Sequence, residues 1–155
     1  MTWLIFVALT VLCWGVYGVM LHTGQMAMED PVNGRYKAFL FVGIAYLFAA
    51  VFGSLIVLKL NNVDWTFAPT GIWWSTVAGI AGAIGALGVV LAFGAKGSPA
   101  VVMSIVFAGA PIVNAFVAMA VHPPAGGLAA LNWPFILGIA MAAGGGCLVT
   151  LFRPA

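Results

Sequence analysis

The chain has 155 residues, of which 65% are hydrophobic and 5% charged, with five basic and three acidic side chains leaving a formal charge of +2. A mean hydropathy of +1.19 excludes a water-facing globular surface, because too little polar surface remains to cover one. Nucleic acid is not an expected partner, since the charge is small and no basic stripe exists.

Five continuous apolar stretches span about 2–21, 38–58, 71–93, 99–121 and 134–152. Roughly 20 apolar residues cross a hydrocarbon core of about 30 Å as an α-helix, so the expected fold is an all-α integral membrane protein. Residues 1–155 form a single transmembrane domain of five helices in one bundle. A β-barrel would show apolar and polar side chains alternating over roughly 10-residue strands, and these runs do not alternate. The expected partner is therefore the lipid bilayer itself.

The first stretch lacks a basic leader and carries the bulky run Leu12-Cys13-Trp14-Gly15-Val16-Tyr17, so it reads as a retained helix rather than a cleaved signal. Cys13 and Cys147 lie inside apolar runs and read as packing residues. Between the first two spans, Glu29-Asp30-Pro31-Val32-Asn33-Gly34 reads as a turn, with Pro31 fixing φ and Asn-Gly tolerating positive φ. The third span carries Gly79, Gly82, Gly85 and Gly88; Gly138, Ala142 and Gly146 repeat at four-residue spacing in the fifth. Small residues let membrane helices approach closely, so these positions read either as helix packing or as a sliding surface. Ser98-Pro99 is the expected start of the fourth span and makes a tight hairpin with the third. Pro111 should bend the fourth span near its middle, as an inert kink or a gate. His122-Pro123-Pro124 closes that span, and Trp133-Pro134 opens the fifth. Trp3, Trp65, Trp73, Trp74 and Trp133 sit near span ends, where indole rings suit the headgroup boundary.

Five crossings gather Arg35, Lys37, Lys96 and Arg153 on one side and leave Lys59 on the other. The positive-inside rule then places the C-terminus in the cytoplasm and the N-terminus outside. The expected location is a cell membrane, specifically a bacterial inner membrane.

No carboxylate, Arg or Lys lies inside an expected span, although such groups usually mark ion or proton paths in membranes. A proton-coupled carboxylate mechanism and a buried phosphate clamp are accordingly not expected. No zinc-protease, nucleophile-elbow or phosphate-loop motif occurs, so neither enzyme activity nor a cofactor is expected. His22 and His122 fall at opposite membrane faces and read as interfacial residues rather than metal ligands. The remaining polarity is neutral. Ser104, Phe107, Pro111 and Asn114 share an arc of about 80° on the fourth helix, and Trp14 and Tyr17 share a face of the first. Asn114 should turn into the bundle, tied to another helix or lining a solute path. Trp14 and Tyr17 read as core filler or as the wall of a binding site.

Cys13-Trp14-Gly15-Val16-Tyr17-Gly18, the glycine-rich third span, Ala92-Phe93-Gly94-Ala95-Lys96-Gly97-Ser98-Pro99-Ala100 and Ala110-Pro111-Ile112-Val113-Asn114-Ala115-Phe116 together resemble one five-helix EamA-type repeat of the drug/metabolite transporter superfamily. Members of that family resemble two such repeats in tandem, with the solute path between the halves. An odd helix count would invert the second copy, as expected for alternating access between inverted repeats. The sequence carries one repeat and lacks the acidic residue usual near the end of the fourth helix. The resemblance implies a half-size transporter subunit for a small neutral or amphipathic solute, with Trp14, Tyr17, Ser104 and Asn114 lining the path. It also implies a homo-oligomer or another membrane subunit. The competing expectation is a non-transporting accessory subunit of a larger membrane complex, bound through its Gly/Ala faces.

Overall fold

A computed structural model describes residues 1–125, 127 and 131–152. Arg153 and Gly126 lie outside the described residues. Five helices are long and apolar enough to cross a membrane, Trp3–Ala27, Gly34–Leu60, Pro69–Gly94, Pro99–Val121 and Trp133–Leu151, and among the described residues there is no strand. The chain divides into two compact units, residues 1–96 and 97–155.

In the first unit, α1 (Trp3–Ala27) runs six residues beyond the expected end at Leu21. It carries His22, Thr23 and Gln25, whose polar side chains suit the headgroup level beyond the hydrocarbon. Thr23 also donates its hydroxyl to the Val19 carbonyl at 2.9 Å, which lets the helix continue. The following turn is organised by Asp30. Its Oδ1 accepts from the Val32 and Asn33 amides at 3.1 and 2.8 Å, its carbonyl accepts from Gly34 N–H at 2.8 Å, and its Oδ2 pairs with Lys37 Nζ at 2.7 Å. The Lys37 bond and these amides hold the Asp30 carboxyl down at about 2. Positive φ falls on Glu29 (51°), not on the Asn-Gly pair. Asn33 is instead the N-cap of α2 (Gly34–Tyr46), with φ −111°.

Gly34 has a different task from the turn expected of it. A Cβ there would stand 2.9 Å from the Gln25 carbonyl oxygen and 3.4 Å from Met28 Cβ. Glycine is thus required for α2 to start against the last turns of α1. The second span continues through a π-helical segment, Leu47–Phe52, into α3 (Gly53–Leu60). Gly53 N–H donates to the Phe48 carbonyl, five residues back, and this wider turn offsets every later side chain from its ideal α-helical position. The span ends in a paired turn: Val63 N–H reaches the Leu58 carbonyl and Asn62 N–H the Lys59 carbonyl, with Asn62 left-handed at φ 49°, a conformation asparagine tolerates.

Pro69 stands in the first turn of α4 (Pro69–Gly94). That helix ends with Lys96 left-handed at φ 70° and its amide bonded to the Phe93 carbonyl at 3.0 Å. Leu21, Ala38, Val89, Val90 and Phe93 are buried, Val90 completely, and Gly18 and Gly34 are buried with them. These are the later half of α1, the start of α2 and the later half of α4. His22 stands edge-on to Phe93 at 5.3 Å, which ties α1 to α4 at that end. The opposite halves of the same helices are exposed.

In the second unit, α5 (Pro99–Val121) begins with Ser98 extended at the N-cap and Pro99 in the first turn, and stays helical through Pro111. α6 (Trp133–Leu151) has Asn132 at its N-cap and Pro134 in its first turn. The two run antiparallel. Gly146 faces the Ala108 side chain so closely that a Cβ would overlap it, and the Ser104 carbonyl lies 3.5 Å from that position. At the other end Phe116 and Met119 line a groove together with Phe135 and Ile139.

Candidate functional site

Exposure here means open to lipid, to a second subunit or to water. In the first unit Trp14 and Tyr17 lie three residues apart on α1, with ring centroids 6.1 Å apart and planes tilted by 39°. The spacing is the cause: side chains three apart on a helix are neighbours. Trp14 is 44% exposed, whereas the Tyr17 hydroxyl is buried without a hydrogen-bond partner. Tyr46, on the last turn of α2 before the π segment, lies within electrostatic reach of Tyr17. So α1 presents two neighbouring aromatic rings beside one buried hydroxyl that has no hydrogen-bond partner among the described residues. A phenol there suits a ligand offering one hydrogen bond and a flat or apolar body.

Tyr46 was not foreseen as an electrostatic neighbour of Tyr17. Nothing local in its sequence distinguishes it from other interfacial tyrosines, and its position depends on how α2 is set against α1 by Gly34. Gln25 and Arg35 were equally hidden. The Gln25 Oε1 and the Arg35 Nε are also buried without hydrogen-bond partners, at the end of the unit where α1, α2 and α4 meet.

Ser104 and Asn114 belong to the second unit. Ser104 Oγ donates to the Ala100 carbonyl at 2.6 Å, which satisfies its proton within α5. Asn114 is exposed, roughly 10 Å from the end of α5 at 1.5 Å per residue. An amide so placed needs a partner of its own kind inside a bilayer. Ile105, Ala108, Ile112, Ala143, Cys147 and Thr150 line an apolar groove of about 380 Å³ between α5 and α6. Thr150 donates its hydroxyl to the Gly146 carbonyl at 2.8 Å, so the groove presents almost no free polarity.

The glycines divide sharply. Cβ atoms at Gly79, Gly82, Gly85, Gly88 and Gly138 would meet nothing within 4 Å, whereas Gly146 packs directly on α5. Ala142, one helical turn before Gly146, is exposed. Gly79, Gly82, Gly85 and Gly88 therefore leave that stretch of α4 open and of low relief. Among the described residues no three His, Cys, Asp or Glu side chains gather as a metal site, and Cys13 and Cys147 are free thiols. No family model, curated protein or solved structure matches this chain.

Proposed function

We propose that the chain is a half-size, EamA-like carrier subunit for a small neutral or amphipathic solute. In this reading it sits in a bacterial inner membrane with its N-terminus outside, and completes its path with a second subunit. The observation that carries the reading is the Tyr17 hydroxyl, buried beside the Trp14 ring with no hydrogen-bond partner among the described residues. An unsatisfied buried hydroxyl costs about 1–3 kcal/mol, and a solute's hydrogen bond would remove that penalty. Asn114, in the second unit, is a further neutral polar group, and the absence of charge in the middle of the spans suits a solute without net charge.

The test is thiol labelling of single cysteines at Ser104 and Asn114, after Cys13 and Cys147 are changed to alanine. Membrane-impermeant reagent is applied from each side of oriented vesicles. Labelling from both sides is expected for a carrier that exposes its path alternately. Protection from both sides would end the transport reading and favour the accessory subunit, whose supporting observation is the open face of Gly79, Gly82, Gly85 and Gly88.

A further inference from the structure

The end of the first unit where α1, α2 and α4 meet holds a cation whose surroundings leave it unanswered. Arg35, in the first turn of α2, crosses Gly94 at the last turn of α4: a Cβ at Gly94 would stand 2.5 Å from Nη1 and 2.6 Å from Cδ of Arg35. In this arrangement the Arg35 side chain occupies the space a Cβ at Gly94 would take. The guanidinium also lies over the Tyr36 ring, 5.0 Å from its centroid, so one face rests on an aromatic platform. Its Nε is buried without an acceptor. Asp30, the acid nearest to Arg35 in the sequence, is engaged by Lys37, and that is the one ion pair among the described residues.

Lys96 stands two residues beyond Gly94, so its Cα lies within about 7.6 Å of the Gly94 Cα at 3.8 Å per peptide unit. It is exposed, with left-handed backbone. The negative end of the α4 dipole helps hold both cations at this place. Glu29, exposed in the preceding turn, is the other acid nearby in sequence. The Arg35 guanidinium, with its Nε–H unpaired, and Lys96 thus belong to the same end of the unit, where a span begins, and charge-assisted donors of these two kinds are what a phosphate group requires.

We propose that Arg35 and Lys96 form a site for a phosphate group, in a cradle created by Gly94. The inference is independent of transport: it stands whether or not the chain carries a solute. Two sources share this chemistry, an anionic phospholipid headgroup and a soluble phosphate ester.

The full chain is reconstituted in equimolar phosphatidylcholine and phosphatidylglycerol, and its retained lipid is read by native mass spectrometry. Wild type should retain phosphatidylglycerol in excess. Arg35→Gln and Lys96→Gln should each reduce that excess about fivefold, the effect of roughly one basic residue near a membrane surface. Gly94→Ala, which displaces the guanidinium without altering charge, should reduce it as well, Glu29→Gln should increase it, and Lys59→Gln at another loop should leave it unchanged. Adding inorganic phosphate against chloride at equal ionic strength separates the sources. Displacement of the lipid points to a soluble ester, and persistence points to the headgroup. Equal retention of both lipids by wild type would overturn the site. So would an unchanged ratio in Lys96→Gln, which decides the matter even where Arg35→Gln does not fold.

Discussion

Replacing Gly34 by alanine tests the contact on which the first unit is built. The new Cβ would start 2.9 Å from the Gln25 carbonyl oxygen, a backbone atom that cannot rotate away. Reaching ordinary contact at 3.4 Å or more requires α2 to move off α1 by at least about 0.5 Å, and crowding of this kind costs about 1–3 kcal/mol. Alanine's better helix propensity offsets less than about 1 kcal/mol, and less still at a first-turn position. The net loss is therefore about 1–2 kcal/mol, or roughly 3–6 °C in a chain of this size. The assay is thermal unfolding in mild detergent, followed by tryptophan fluorescence, with Gly79→Ala as the control. A Cβ at Gly79 meets nothing within 4 Å, so the control should melt at or slightly above wild type. Equal melting of Gly34→Ala and wild type would refute the packing of α1 on α2 described above.

Three further outcomes follow from the same geometry. Gly146→Ala should lower the melting temperature by several degrees, because its Cβ would overlap the Ala108 side chain; Gly146→Ala combined with Ala108→Gly should recover most of the loss. Tyr17→Phe should leave the isolated chain unchanged or raise its stability by about 1 kcal/mol, since it removes a buried hydroxyl with no partner. A loss on that substitution would mean the hydroxyl is already answered within the chain. Asp30 is held at about 2 by Lys37 and the turn amides, below the ordinary carboxylate value of about 3.9. Its contribution is therefore fully present above pH ~4 and lost as pH falls toward 2. Hydrogen exchange across residues 28–33 should quicken over that window, and in Asp30→Asn the acid-dependent change should disappear.

Much of the polar chemistry was legible only as a list of candidates. Trp14 and Tyr17 are three residues apart, so helical periodicity already places their rings together, and the 6.1 Å centroid distance adds little to that. Tyr46, Gln25 and Arg35 came from no local signal. Each acquires its meaning from a neighbouring helix: Tyr46 from α1, Arg35 from the end of α4. Ser104 and Asn114 share an arc on α5, yet the Ser104 hydroxyl is satisfied by Ala100 while Asn114 stands exposed.

What the residue order determined by itself is the number of membrane-length helices and most of their starts. Hydropathy summed along a helix fixes whether lipid can solvate it, and Pro69, Pro99 and Pro134 sit in first turns because their missing N–H costs nothing there. Tertiary structure alone decided which small residues touch. Gly34 and Gly146 receive a neighbouring helix, while Gly79, Gly82, Gly85 and Gly88 on α4 receive none. It also decided the π turn at Leu47–Phe52 and the extension of α1 to Ala27. The physical reason is that apolar composition sets only the affinity of a helix for lipid. Every face of such a helix is equally soluble there, so the choice of contacting face rests on close packing between particular backbones.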